Sequence, residues 1–430
     1  MDVEDRIRIE EFGQLKKEVR RSARYLIVGI DVAKDKHVAF FGTPTGKTLL
    51  KRLIFENNTE GFGKLLTFVD SLKVKNGLDK DVYGLEPTAN YHKPLGEYLV
   101  KRGLNVVLVS GEAVKKNRVL LDGRWDKHDT KDSANVADLM SQGKFMYYDH
   151  PVLPLRDLRN LLSLKRRLKK QEQGLRVRIR NHLLAQYFPE LDRYYSQWER
   201  GGLRIVRWCL APKVIAAMRY EQFVQLIAPG NRMSVGQGNR LRSIWEKAAH
   251  SIGCEVGVAL EFEARMMVEG LNQVREAIGV TDDKVKELCL SFPEYSYLLT
   301  IPGFGPDISS KVLAGIGNPF RFNSAKQVLK TAGWDLCASR SGKKSDAAVP
   351  VISKKGKADL RYALYQAALI ASTRNRYFVT YYTNKLRGRE KERGIKTKMK
   401  VKLAAKMLVI AWTLMKREEP FNPDYLNLDE

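Results

Sequence analysis

A mixed α/β N-terminal domain, a helical middle and a mainly α C-terminal domain are what this sequence predicts, on three observations. Between Tyr25 and Tyr148, short runs of β-branched and aromatic residues alternate with helix-period segments. From Pro151 the period becomes helical, with Leu158, Leu161, Leu168, Leu175 and Ile179 along one seam. Near residue 298 a Pro-Gly turn separates two apolar helical stretches.

In chain order, residues 1–24 form a charged, helix-prone basic arm. Strands are expected at 25–31, 36–42, 48–55, 81–86 and 104–109, and helices at about 58–74, 91–102 and 130–142. Three hairpin-spaced strands followed by strand–helix alternation give a mixed sheet flanked by helices, the domain 25–148. Asn58 or Thr59 is the natural cap of the first long helix. The segment 151–292 is a helical, coiled-coil-like region. Lys165 and Glu172 fall on its leucine seam, where they weaken a simple two-stranded coil and fix its register. Packing of that seam on a partner helix, within the chain or across a dimer, and an ordinary core stripe fit it equally. Residues 189–250 read only as mixed helix and loop, and 255–289 as helix. The C-terminal domain, 293–418, opens on Ile301-Pro-Gly-Phe-Gly305 before an amphipathic helix. This has the look of a helix-hairpin-helix, in which Gly303 and Gly305 let backbone N–H groups approach a phosphate; a plain interhelical turn fits equally. Then come a loop-like stretch from Trp334 to Lys357, a helix from about Ala358 to Ser372, a basic linker from Lys385 to Lys402, a helix from Val401 to Met415 and a polar tail, 419–430.

Charge narrows the partner class. Seventy-five Lys and Arg oppose 49 Asp and Glu, a net +26 over 430 residues, which suits a polyanion and above all nucleic acid. A solvated basic surface or an anionic membrane is the other reading. Cys209, Cys254, Cys289 and Cys337 are far apart, against a zinc site or a disulfide framework. No signal peptide and no run long enough to span a bilayer are visible, so a soluble cytoplasmic protein is expected.

The acids carry the chemistry. Asp31 ends an apolar strand, where an isolated carboxylate is costly and should be paired, protonated or bound to a cation. Glu86 ends a later strand in the same way, and Asp129 and Asp132 stand three apart at the start of a helix. Four carboxylates with no Cys or His suit Mg²⁺, or Mn²⁺, rather than zinc. Two such ions about 3.5–4 Å apart support in-line displacement at phosphorus. Taken singly, Asp129 and Asp132 also fit dipole-favoured helix-start residues, and Glu86 an exposed strand end. Arg340, Lys343, Lys344, Lys354, Lys355 and Arg361 crowd one C-terminal segment, as phosphate contacts or a basic surface. Tyr91 and Trp334 could stack on bases or sit in the core.

Gly29-Ile-Asp31-Val-Ala-Lys34, Glu86-Pro-Thr88-Ala-Asn-Tyr91, Asp129-x-x-Asp132, Ile301-Pro-Gly-Phe-Gly305, Ala332-Gly333 with Ser341-Gly342, and Ser353-Lys-Lys-Gly356 with Leu360-Arg361 occur in this order. The ordered set resembles the DEDD-type insertion-sequence transposases, which include the pilin-gene invertase and the bridge-RNA-guided recombinases, over about 25–145 and 295–415. The resemblance implies an RNase H or Holliday-junction-resolvase-like first domain whose Asp31, Glu86, Asp129 and Asp132 bind Mg²⁺. It further implies a serine nucleophile at Ser341 in a C-terminal transposase domain, a covalent phosphoserine link to DNA, a homodimer or homotetramer, and a structured noncoding guide RNA. A prokaryotic, nucleoid-associated location goes with these. Departures are His128 where the family has Thr, and Ser133 where Ala is usual; neither removes a carboxylate. A metal-dependent junction nuclease using water and a non-catalytic nucleic-acid-binding protein are the alternatives.

Overall fold

The computed structural model describes residues 3–20, 22–122, 129–195, 206, 210–230, 233–337 and 351–426. The chain divides into two compact units, Met1–Leu153 with Gly317–Ser324, and Pro154–Ile316 with Ala325–Glu430.

The first unit holds α1 (Val3–Glu18), β1 (Tyr25–Asp31), β2 (Lys36–Gly42), β3 (Thr48–Glu56), α2 (Thr59–Asn76), β4 (Lys80–Leu85), α3 (His92–Val100), β5 (Val106–Leu108), α4 (Gly111–Asp122), α5 (Asp129–Ser141) and β6 (Met146–Tyr147). The β-branched runs pair into one six-stranded mixed sheet, ordered β3-β2-β1-β4-β5-β6. β1, β4 and β5 run parallel, while β2, β3 and β6 are antiparallel to their neighbours. Alternation along β1 separates two cores. Leu26, Val28 and Ile30 pack with Phe62, Leu65 and Val69 of α2 and Leu95 and Leu99 of α3. Tyr25 and Ile27 pack instead with Leu15 and Val19 of the N-terminal segment, Val114 of α4, and Val136, Ala137 and Met140 of α5. The opening arm is therefore a helix whose end is seated in the core. Asn58 caps α2, accepting from the Gly61 amide at 2.8 Å.

Two elements of this unit are absent from the sequence prediction. β6 has only two residues and carries no pattern of its own. α4 buries polar groups: Asn117 Nδ2 donates to Asn135 Oδ1 and to Asp138 Oδ2, both at 2.7 Å, and Asn135 Nδ2 donates to the Val114 carbonyl. Side chains that read as a solvated face are instead a clasp between α4 and α5.

The second unit begins with α6 (Leu153–Arg178), which runs through a π-helical turn (Ile179–Leu184) into α7 (Ala185–Tyr187). Then follow α8 (Pro189–Tyr195), α9 (Pro212–Ala217), α10 (Tyr220–Ile227), α11 (Val235–Ala248) and α12 (Val258–Leu290), so the unassigned middle is a helical subdomain. Its core joins Ile179, Leu183, Phe188, Ile215, Phe223, Ile244 and Leu271. Two polar positions on the leucine seam of α6 find partners within the chain. Lys165, on the seam, pairs with Asp282 of α12 at 2.5 Å and with Asp307 at 2.6 Å, and Glu172 receives Arg275 Nε of α12 at 3.1 Å. Burial works to raise the Asp307 and Glu172 carboxyls, but their lysine and arginine partners outweigh it and hold both below their ordinary values.

The remainder is α13 (Pro293–Leu299), α14 (Pro306–Ile316), α15 (Ala325–Thr331), the β7–β8 pair (Leu336–Cys337, Val351–Ile352), α16 (Ala358–Arg374), α17 (Arg376–Leu386) and α18 (Ile395–Arg417). α18 starts earlier than the sequence predicts, because Ile395, Met399 and Leu403 face inward while Lys396, Lys398, Lys400 and Lys402 solvate the first turns. Gly394, at φ 75°, sets its entry, so the basic linker shrinks to residues 387–394. Among the described residues no helix is long and apolar enough to cross a membrane.

Candidate active site

β1 and β4 run parallel with Ile30 opposite Leu85 as their last registered pair, so Asp31 and Glu86 come next on adjacent strands, roughly 4.8 Å apart along the hydrogen-bonding direction. The Glu86 amide continues the ladder to the Ile30 carbonyl at 3.4 Å. Alternation turns both acids to the side of the sheet that carries α5, away from the core of Ile30 and Leu85. Both are half-buried. Glu86 Oε1 lies 2.9 Å from where a Cβ on Gly111 would stand, so the carboxylate reaches the first residue of α4. The positive end of α4 favours that carboxylate.

α5 comes unusually close to the sheet. Gly29 and Gly84 are register partners on the same face. A Cβ on Gly29 would run into the Ser133 carbonyl and stand 2.6 Å from the Ala137 amide, and one on Gly84 would run into Met140 Sδ. The trough these two glycines leave lets α5 lie against β1 and β4, beside the strand ends that carry the acids. Asp132, 2% exposed, accepts from Arg118 Nε of α4 at 2.8 Å. Asp129 begins α5, and its side chain lies outside the described residues, as do Asp126 and His128. Asp138 accepts from Asn117 and Gln142 and serves the α4–α5 clasp.

An all-carboxylate donor set fits Mg²⁺ or Mn²⁺ in chemistry, and the strand register fits it in placement for Asp31 and Glu86. Among the described residues, however, no three His, Cys, Asp or Glu gather closely enough to hold a metal ion. Asp132 is engaged by Arg118, which supplies the positive charge a buried carboxylate needs.

The turn after Asp31 is pinned by His37, whose Nδ1 accepts from the Ala33 amide at 3.3 Å. His37 is fully buried between Phe55 and Phe62. Burial lowers its pKa, against a smaller opposing effect of Asn57. With the folded pKa below the unfolded one, the unfolded chain binds the extra proton first. Stability is therefore complete above about pH 6.5 and lost as pH falls below it. Urea unfolding of the wild type between pH 7.5 and 5 should show this loss, and His37→Gln should flatten the curve by up to about 1.4 kcal/mol per pH unit. Parallel curves for the two proteins would show that His37 does not titrate on unfolding.

In the second unit, Ser341, Arg340, Lys343 and Lys344 lie outside the described residues, between β7 and β8. The base of that segment is tightly built. Gly333 and Gly356 approach backbone to backbone, a Cβ on Gly333 standing 2.8 Å from the Lys354 carbonyl carbon. Ser353 Oγ donates to Asp335 Oδ1. Arg361 Nη1 donates to the carbonyls of Ala332 at 2.8 Å, Lys354 at 3.3 Å and Gly356 at 3.4 Å, so this guanidinium braces the base of the segment. Lys354, at φ 55°, and Lys355 are exposed. Gly303, at φ 91°, faces α16: a Cβ there would stand 2.8 Å from the Ala367 carbonyl oxygen. Gly305 faces open space at the start of α14. Trp334 is 7% exposed and belongs to the core, whereas Tyr91 is exposed.

Sequence reasoning missed Arg118, Asn117 and Gly111. Their signal was weak: Val114, Asn117 and Arg118 share a helix face, but two polar residues in three do not read as an inward one.

Two family models match the chain. One, for DEDD transposases of the IS110 type and described as a transposase, covers residues 28–189. The other, the transposase IS116/IS110/IS902 family, covers 295–383, and the two together span more than half of the chain. Similar proteins include the insertion element IS116 uncharacterized 44.8 kDa protein of Streptomyces clavuligerus, 23% identical over 428 residues, covering 92% of this chain and 96% of the relative. The insertion element IS110 uncharacterized 43.6 kDa protein of Streptomyces coelicolor is 23% identical, covering 91% and 94%. The transposase for insertion sequence element IS1111A of Coxiella burnetii is 24% identical, covering 94% of each chain.

Proposed function

The chain belongs to the IS116/IS110/IS902 transposase family and is a DNA-recombining enzyme, and from that premise we propose how its own residues cut and rejoin DNA. The observation that carries the proposal is the side-by-side placement of Asp31 and Glu86 at the ends of parallel strands, on the face that α5 covers. In this reading the first unit is an RNase H-like domain. Asp31 and Glu86 would hold Mg²⁺ there together with Asp129, and with Asp132 once it leaves Arg118, with Mn²⁺ as a substitute. When bound, the ion supplies positive charge to the reacting phosphate and lowers the pKa of the attacking hydroxyl.

Ser341 is the nucleophile. Its Oγ forms a bond to phosphorus while the bond from phosphorus to the departing deoxyribose oxygen breaks. The serine proton leaves with the departing oxygen, so the phosphodiester is conserved as a phosphoserine ester and can be rejoined without an energy source. Arg361, with Gly333 and Gly356, anchors the ends of the segment that bears the serine. Arg340, Lys343, Lys344, Lys354 and Lys355 neutralise DNA phosphates, and the net charge of +26 leaves room for a structured noncoding RNA that selects donor and target DNA. Exchange of two duplexes needs several active sites, hence a dimer or tetramer, acting on DNA in the cytoplasm.

Denaturing gels of purified protein incubated with nicked or junction DNA and Mg²⁺ test the serine. The wild type should leave a covalent protein–DNA adduct, and Ser341→Ala should leave none. An adduct that survives Ser341→Ala removes the serine from the mechanism. Cutting with no adduct in the wild type favours a water-using nuclease.

A further inference from the structure

We propose that a groove in the second unit, between α6, α14 and α16, binds an unpaired nucleic-acid strand, with phosphates on its cations and a base on Tyr362. The inference rests on the nucleic-acid chemistry proposed above and adds a site outside the carboxylate centre.

The groove is a cavity of about 860 Å³. Arg159, Lys165, Arg166 and Lys169 enter it from α6, Lys311 from α14 and Lys357 from the start of α16. Against these six cations stand Asp282, Asp307 and Asp359, leaving a net charge of +3. The acids are spent on particular partners. Asp307 and Asp282 hold Lys165, 14% exposed at its side chain, and Asp307 also holds Lys311 at 2.6 Å. Arg166 meets Asp359 at 3.0 Å with both side chains largely exposed, an ion pair worth little in water and one that a phosphate can displace. Lys169, also exposed, pairs with Glu172 just outside the groove at 3.1 Å, a contact that a phosphate can likewise displace.

Tyr362, 63% exposed on α16, lines the groove. It also lines a second cavity of about 260 Å³, which continues over the Gly303–Gly305 turn toward Gln366 and Ile370, and which shares Asp307 and Lys311 with the first. Two adjoining cavities with cations along their walls and an exposed aromatic ring shared between them are what a single strand needs. Phosphates are held as charges, and each base offers a face to stack. A duplex keeps its bases stacked inside and cannot use the ring.

Fluorescence anisotropy of the full chain with short labelled oligothymidylate, oligouridylate and a blunt DNA duplex tests this. Tyr362→Ala should weaken single-strand binding about tenfold and leave duplex binding unchanged, while Tyr362→Phe keeps both. Arg166→Gln with Lys169→Gln should lower the slope of log affinity against log salt by about 1.4 for single strands. Preference between the thymidylate and uridylate probes identifies DNA or RNA as the strand. Unchanged single-strand affinity in Tyr362→Ala, or equal loss for duplex, overturns the groove while leaving the strand-cutting proposal intact. Failure of the wild type to bind any probe would overturn both.

Discussion

Asp31→Asn is expected to reduce Mg²⁺-dependent DNA cutting by roughly 10²–10⁴-fold, since a metal contributes several kcal/mol and about 1.4 kcal/mol is tenfold. The side chain keeps its shape and loses its charge. Asp31 and Glu86 sit next to each other on parallel strands, and the isosteric variant should keep the fold of the wild type in the absence of a divalent ion. Adding Mg²⁺ should separate the two proteins. The wild type gains stability with the logarithm of metal concentration, and the variant gains little. Thermal melts with and without EDTA, run beside the cutting assay, separate loss of metal from loss of fold. Equal Mg²⁺ stabilisation of both proteins would remove Asp31 from the metal site, and an unchanged cutting rate would remove it from the chemistry.

How much of this was legible in the sequence depends on how far apart the partners lie. The strands around Asp31 and Glu86 were readable because β-branched runs mark themselves locally, and each acid stands where its run stops. That the two strands are neighbours was not readable, because β4 reaches β1 only after the β2–β3 hairpin and α2 have been placed. α4 was missed because its inward side chains are polar. Asn117 and Arg118 look solvated until Asn135 and Asp132 of α5 are set against them. The α6 seam shows the same limit. Lys165 and Glu172 look like defects in a coiled coil, and their partners Asp282, Asp307 and Arg275 lie more than a hundred residues away in sequence. Arg361 was legible as a cation near the proposed serine segment, but its three carbonyl acceptors arise only when Gly333 and Gly356 meet.

Gly29→Ala is expected to be among the most damaging single-methyl changes in the first unit. Its Cβ would meet backbone rather than a movable side chain: the Ser133 carbonyl and the Ala137 amide are both fixed in α5. The helix must therefore lift from β1, at a cost of about 1–3 kcal/mol for overpacking. Lifting also moves Asp132, which in the proposed mechanism acts with Asp31 and Glu86, and a shift near 1 Å in a catalytic group can cost about 10²-fold in rate. Gly63, in the interior of α2 with open space where a Cβ would go, supplies the contrast. Gly63→Ala should stabilise by about 0.5–1 kcal/mol and leave cutting unchanged, because it lowers the entropy of the unfolded chain and meets nothing in the folded one. Urea unfolding and the cutting assay on both variants provide the comparison. If Gly29→Ala matched Gly63→Ala in both measurements, α5 would not need its close approach to β1, and the proposed convergence of Asp132 with Asp31 and Glu86 would lose its structural basis.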